Sequence, residues 1–247
     1  MIRLISIHPG HFGKGTGAAR FIDEGEEAIK VAKRVHQLIK DKVKTTYIQD
    51  NVNKSQNANI NWLVKRMNES RAKTHYSIHF NASKTTDKPV GTEVIVYSNK
   101  NSKHAGDISK AISGASGLIN RGVKYDTTLG VLRRTHAPTY LIEVCFVDSK
   151  RDVEIYRKNF DGICKAIAGS ILEFHGVKGG VDMQNELDAL KKEIKELREL
   201  VGNGEAGKTL EKEVKRGVEL GITDGKNMGK PVTREQAVAM IVRAVDK

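Results

Sequence analysis

The chain has 247 residues with 38% apolar content, which is enough for one large domain with a proper core and a smaller second domain. No apolar run approaches the roughly 20 residues of a membrane helix, and the short first run lacks the pattern of a signal peptide. Residues 1–182 carry +11 of the net charge of +12, which favours a polyanionic partner. Nucleic acid is disfavoured, because basic clusters with interleaved aromatic residues, typical of single-strand binders, are missing. The two isolated cysteines, Cys145 and Cys164, predict buried thiols and exclude a disulfide framework and a cysteine-based zinc knot.

Apolar runs and amphipathic stripes alternate along the first part of the chain. We expect strands over residues 1–7, 45–48, 76–80 and 91–97, a short extended segment over 130–133, and an apolar strand from Tyr140 through Ile142. Helices are expected over residues 24–42, 59–72, 102–113 and 151–175, with Asp23 as the N-cap of the first. This alternation predicts an α/β fold in which a mixed, twisted sheet is covered by helices on both faces.

Two smaller segments follow this domain. A Gly-rich linker leads to a heptad seam with spacings of 4, 3, 4, 3 and 4, formed by Met183, Leu187, Leu190, Ile194, Leu197 and Val201. The seam predicts a short coiled-coil helix and a homo-oligomer formed through residues 183–201, and the alternative is a single amphipathic helix folded onto the first domain. Residues 205–247 are expected to form a small all-α module, in which Thr233 and Gln236 make a capping-box pattern.

Two histidines stand where predicted strands end. His11 lies in the Gly-rich loop after the first strand, and His79 lies at the end of the third. Ligands of an open α/β sheet bind beyond the carboxyl ends of its strands. Two imidazoles, a carboxylate and an open position make a catalytic zinc site. The carboxylate is expected from Glu24 or Glu27, at the start of the helix after the His11 loop, and periodicity does not separate the two.

Glu143 is the most unusual residue of the sequence, because it interrupts the apolar run 141–147. A carboxylate in such a run must be paired, bound to a metal, or exposed at a strand end. One interpretation is an ion pair with Arg133 or Arg134. The other is a general base or acid beside a metal site.

Four blocks of the chain occur in the order found in one enzyme family. They are residues 7–18, 23–24, 77–82 and 138–148, and the third, Ser-Ile-His-Phe-Asn-Ala, is the most specific. They resemble the zinc-dependent N-acetylmuramoyl-L-alanine amidases of the amidase-3 type, whose members are autolysins and phage endolysins. The resemblance covers roughly residues 1–175. It implies cleavage of the amide bond between N-acetylmuramic acid and L-alanine in peptidoglycan.

The resemblance also implies which residues form the site. These are the Zn²⁺ ligands His11, Glu24 and His79 and the catalytic glutamate Glu143. Glu27 stays as the alternative to Glu24. His8 stands where family members carry an aspartate and could support the site, while by motif position the metal ligand is His11. Asn81, His136 and the loop at Gly91 are expected to line the groove.

The end of the chain has its own resemblance. Residues 219–225 and 232–244 are similar to the second part of an S-layer-homology motif, which holds proteins on secondary polymers of Gram-positive walls. We therefore expect a catalytic domain over 1–176, a linker with a coiled-coil helix over 177–204, and a module over 205–247 that binds an anionic wall polymer.

The function expected from these features is that of a phage endolysin. It would be made in the host cytoplasm without a signal peptide and act on peptidoglycan after release, with neither nucleic acid nor membrane as partner. The alternatives are a non-catalytic wall-binding or scaffold protein, and a zinc peptidase or deacetylase that acts on another peptidoglycan bond.

Overall fold

The computed structural model describes residues 4–52 and 55–177. The predicted coiled-coil helix over 183–201 and the predicted module over 205–247 lie outside the described residues. The strands are β1 (Ile5–Pro9), β2 (Thr45–Tyr47), β3 (Thr74–Asn81), β4 (Thr92–Val96), β5 (Asn120–Tyr125) and β6 (Thr139–Phe146). The helices are α1 (Glu24–Ile39), α2 (Gln56–Glu69), α3 (Ser102–Ser116), α4 (Gly130–Arg133), α5 (Lys150–Lys158) and α6 (Phe160–Phe174).

The six strands form one mixed sheet in the order β2-β1-β3-β6-β4-β5. All neighbouring strands run parallel except β4 and β6, which are antiparallel. The carboxyl ends of β1, β3 and β6 therefore share one edge of the sheet with the beginnings of β4 and β5. The predicted α/β class with a mixed sheet is confirmed.

Helices cover both faces of this sheet, as predicted. On one face α1, α3 and α6 pack on the main core, which includes the fully buried Ile5, Ile78 and Ile142. On the other face α2 and α4 pack in a smaller cluster with Val64 and Leu141. None of the helices in the described part of the chain is long and apolar enough to span a membrane.

The predicted extended segment over 130–133 is wrong, because Gly130–Arg133 is the one-turn helix α4. Asp126 explains the difference, since its carboxylate accepts hydrogen bonds from the backbone N–H groups of Thr128 and Leu129 and turns the chain. The turn continues into a helix whose Val131 and Leu132 are buried.

The edge strand β5 was not predicted, because its burial pattern is mostly exposed and it has no apolar alternation. The predicted helix over 151–175 is two helices that meet at Asn159, whose side chain donates a hydrogen bond to the backbone oxygen of Ile155. Its place in a helical segment predicts a surface position for His104 on α3. The His104 side chain is instead buried, and its Nε2 lies 3.0 Å from the Tyr76 hydroxyl.

Candidate metal centre and active site

The start of α1 is held under the Gly-rich loop by Asp23. As predicted, Asp23 is the N-cap, and its Oδ1 accepts from the backbone N–H of Glu26 at 2.9 Å. Its Oδ2 accepts from the backbone N–H of Gly15 in the loop at 2.7 Å. This double contact fixes Glu24, the first residue of the helix, against the loop that carries His11.

His11, Glu24 and His79 meet at this point. Glu24 Oε1 lies 3.0 Å from His11 Nε2 and 3.0 Å from His79 Nδ1. One potential ligand atom from each residue lies within 4.8 Å of the other two, and this is the group of described residues that could hold a metal ion. Backbone N–H groups orient the carboxylate, since that of Ala18 donates to Oε2 at 2.8 Å and that of Phe80 donates to Oε1 at 3.2 Å.

The charge states of this group suit a cation. Burial raises the pKa of Glu24, but hydrogen bonds to His11 and His79 outweigh it and hold the pKa well below its usual range. Burial lowers the pKa of His79, which the hydrogen bond and charge of Glu24 oppose only in part. Metal ligation needs a carboxylate and neutral imidazoles. The Nε2 atom of His79 is buried and has no hydrogen-bond partner among the described residues. The donor set therefore fits a divalent metal with mixed nitrogen and oxygen ligands, such as zinc.

Two glycines make room for these side chains. A Cβ on Gly17 would lie 2.4 Å from Glu24 Oε2 and 2.8 Å from His11 Nε2. A Cβ on Gly10 would lie 1.9 Å from the His79 ring. The backbone can therefore approach the three side chains closely only because these positions lack a side chain.

Glu143 lies on β6 in register with His79 on β3. It is buried, and its Oε2 has no hydrogen-bond partner among the described residues. Burial raises its pKa well above the usual value, and the nearby charges of Glu24 and Glu93 add to the effect. A buried carboxyl group with a raised pKa beside a candidate metal site is placed to accept and return a proton.

The predicted ion pair of Glu143 with Arg133 or Arg134 is wrong for the described part of the chain. Helix α4 leaves both arginines exposed. Arg134 instead donates to Asn61 Oδ1 at 2.7 Å.

Sequence reasoning missed a polar row that continues the site across the sheet. Glu93 on β4 is in register with Glu143 and is buried. The Nδ2 group of Asn81 donates to its Oε1 at 2.8 Å, and Nε of Arg121 donates to its Oε2 at 2.6 Å. The sequence did carry a signal for Glu93, because this residue is a carboxylate inside an apolar strand. The same kind of signal identified Glu143.

The two alternatives to the proposed metal ligands make other contacts. Glu27 accepts from the Tyr156 hydroxyl at 2.7 Å and pairs with Lys30, so it does not reach the histidines. His8 is buried within β1, and its Nδ1 lies 3.1 Å from the backbone oxygen of Pro9. Burial lowers the pKa of His8 to about 3. It does not belong to the group of potential metal ligands.

A cavity of about 200 Å³ opens beside this group. It is lined by Gly10, His11, Gln56, Ile60, His79, Leu129, Gly130, Val131, Leu141 and Glu143. Asn81, His136 and Gly91, which were expected to line the groove, are not among these residues. The apolar wall from α2 and α4 was missed, because the sequence predicted an extended segment at 130–133.

Comparison with known proteins assigns the family. The family model of N-acetylmuramoyl-L-alanine amidase (Amidase_3) matches residues 5–173, more than half of the chain. The chain belongs to this family. The amidase fold and the blocks that carry the resemblance lie within the matched residues.

Individual relatives of this chain agree with the family match. An uncharacterised protein of Clostridium perfringens is 31% identical over 198 residues, covering 77% of this chain and 57% of that protein. The chain thus spans little more than half of that relative. The endolysin of Bacillus phage SPP1 is 26% identical over 193 residues, covering 72% of this chain and 68% of the endolysin. The solved catalytic domain of an endolysin targeting Clostridia difficile is 27% identical with a TM-score of 0.62, covering 69% of this chain and 97% of that domain.

Proposed function

We propose that this amidase is a zinc-dependent endolysin that cleaves the amide bond between the lactyl group of N-acetylmuramic acid and L-alanine. The observation that carries the proposal is the convergence of His11, Glu24 and His79 beside a buried glutamate, Glu143. The family match supports a peptidoglycan amidase, and the similarity to the phage SPP1 endolysin supports the role in host lysis.

His11, Glu24 and His79 would hold the zinc ion. When bound, zinc would polarise the scissile carbonyl and lower the pKa of a water molecule. The protein's own contribution is to hold Glu24 ionised through hydrogen bonds, to favour the neutral form of His79 by burial, and to keep the two imidazoles close together. Gly10 and Gly17 contribute by leaving space for the ring of His79 and for the carboxylate.

Glu143 would move the proton. It would accept a proton from the attacking water as the carbon–oxygen bond forms, and donate it to the L-alanine nitrogen as the carbon–nitrogen bond breaks. The products are a free carboxylate on the lactyl group and a free amino terminus on L-alanine. The raised pKa of Glu143 supports this role, because burial of the carboxyl group favours the form that has taken up the proton.

The cavity would orient the substrate. Its apolar wall includes Ile60, Val131 and Leu141, which can contact the methyl groups of the lactyl and alanine units. Glu143 and the two histidines lie on the polar side of the same cavity, so a substrate held there places its amide bond beside them.

Digestion of purified Gram-positive walls, with and without a zinc chelator, tests the reaction. We expect free L-alanine amino termini without new reducing sugar ends, and loss of these amino termini upon chelation or in Glu143→Gln. Glu154→Gln, an exposed glutamate paired with Arg151, is the matched control and should digest walls normally. New termini at another amino acid or free acetate would indicate a peptidase or deacetylase. Walls left intact by the zinc-supplemented protein would indicate a non-catalytic binder.

The remaining segments are proposed to attach the enzyme to the wall. Residues 205–247 would bind an anionic wall polymer, and the seam at residues 183–201 would join several chains for multivalent attachment. Light scattering of the full-length protein on a sizing column should give a mass of two or more chains. A strictly monomeric protein would contradict the oligomer.

A further inference from the structure

The polar row of the sheet extends past the proposed catalytic glutamate to Arg121. His79, Glu143 and Glu93 lie in register on β3, β6 and β4, so their side chains project from the same face of the sheet. Arg121 lies on the next strand, β5, whose register with β4 shifts beside Glu93, and its Nε donates to the Glu93 carboxylate. The guanidinium of Arg121 therefore reaches the face that carries the candidate site, at the edge of the sheet.

The guanidinium of Arg121 is held rigidly. Its Nε donates to Glu93 Oε2 at 2.6 Å, and its Cζ lies 5.0 Å from the centre of the buried Phe146 ring. The second oxygen of Glu93 is occupied by Asn81. An ion pair on one edge and an aromatic ring on one face together fix the plane of the guanidinium before any ligand arrives.

Part of this guanidinium is nevertheless available for a ligand. The Arg121 side chain is 36% exposed, whereas the Glu93 side chain is 7% exposed. A guanidinium has five N–H donors, so a bond through Nε leaves donors for a second acceptor. An oriented, partly exposed fork of donors matches the two oxygens of a carboxylate.

We propose that Arg121 binds a carboxylate of the stem peptide one residue beyond the L-alanine, and so selects substrates that carry a free acid there. This inference rests on the proposed amidase function. Strands β6 and β5 are two spacings apart, so the backbone of Arg121 lies roughly 10 Å from that of Glu143, and its side chain reaches back toward the site. A carboxylate one residue past the scissile amide lies roughly 7 Å from it in an extended peptide, which fits this separation.

Two synthetic substrates test the inference with the zinc-supplemented, full-length protein. They are N-acetylmuramoyl-L-alanyl-D-glutamate with a free α-carboxylate, and its α-amide. The wild-type protein should prefer the acid in kcat/KM by roughly tenfold to a hundredfold, as expected for a charged hydrogen-bonded pair, and mainly through KM. Arg121→Gln should lose most of this preference, and Arg121→Lys should keep only part of it, because lysine has no planar fork.

Two further variants separate binding from folding. Arg121→Gln leaves the buried Glu93 carboxylate without its cation, so Glu93→Gln/Arg121→Gln restores a neutral hydrogen-bonded pair. This double variant should melt near the wild type and still lack the preference. Lys124→Gln removes one exposed positive charge from the same strand and should keep the wild-type preference.

The outcomes are distinguishable. Equal use of the acid and the amide by the wild type would overturn the inference and leave the amidase proposal standing. An unchanged preference in folded Arg121→Gln would do the same. Failure of the wild type to cleave either substrate, or cleavage at another bond, would instead contradict the proposed function.

Discussion

Gly17 shows how closely the backbone must approach the candidate metal ligands. Its φ is +79°, and a Cβ there would collide with Glu24 and His11. Gly15 has the same φ, but a Cβ there would meet no atom within 4 Å. Both alanine variants should lose about 1–2 kcal/mol of folding free energy from the left-handed backbone. Only Gly17→Ala should also lose zinc affinity, by tenfold or more, in a competition titration with a chromophoric chelator. Equal zinc affinity of the two variants would contradict this geometry.

The sequence located the proposed catalytic residues because their chemistry conflicts with their surroundings. His79 and Glu143 interrupt apolar strands, and His11 follows one directly, so their positions at one sheet edge could be predicted. The choice of Glu24 over Glu27 needed the resemblance, since both fall near the inner stripe of one helix. The contact between Glu93 and Arg121 could not be predicted, because it depends on the register of β4 with β5, strands that are far apart in sequence.

His104 on α3 makes the fold sensitive to acid. Its ring stacks on Phe174 with centroids 3.9 Å apart, and its Nε2 contacts the Tyr76 hydroxyl. Burial, followed by the nearby His175, lowers its pKa from 6.5 to about 3. Between these values the unfolded chain binds a proton that the folded chain does not, so the free energy of unfolding falls as pH decreases. At pH 4.5 this one group costs about 3 kcal/mol relative to neutral pH.

His104→Gln should therefore weaken the pH dependence. Urea unfolding at pH 7 and pH 4.5 should show a loss on acidification smaller by about 2–3 kcal/mol in this variant than in the wild type. His136 is exposed, so His136→Gln provides the control variant. Wild-type acid sensitivity in His104→Gln would show that this ring does not resist protonation in the folded protein.

Helices and strands with clear amphipathic patterns were predicted well, and those defined by tertiary contacts were not. The helix α1 and its Asp23 cap, the strand β3 and the strand β6 follow from local patterns. The helix α4 depends on a turn formed by Asp126, and the exposed strand β5 is specified by pairing with β4 rather than by its own sequence. Both missed elements border the site, which explains why the apolar wall of the cavity and Arg121 were also missed.

Across the whole molecule, the predicted mixed α/β sheet covered on both faces is confirmed, and the family match spans residues 5–173. The net charge of +11 in residues 1–182 agrees with the proposed action on the cell wall, because an anionic polymer would attract this domain. The coiled-coil seam and the wall-binding module remain predictions, since they lie outside the described residues.

The central claim is that His11, Glu24 and His79 bind zinc while Glu143 carries out the proton transfer. Zinc content and wall hydrolysis, measured on the same preparations of wild type, Glu24→Gln and Glu143→Gln, test it most directly. The account predicts about one zinc per chain in the wild type and in Glu143→Gln, little zinc in Glu24→Gln, and hydrolysis in the wild type alone. Full hydrolysis by Glu143→Gln, or wild-type zinc content and activity in Glu24→Gln, would contradict it.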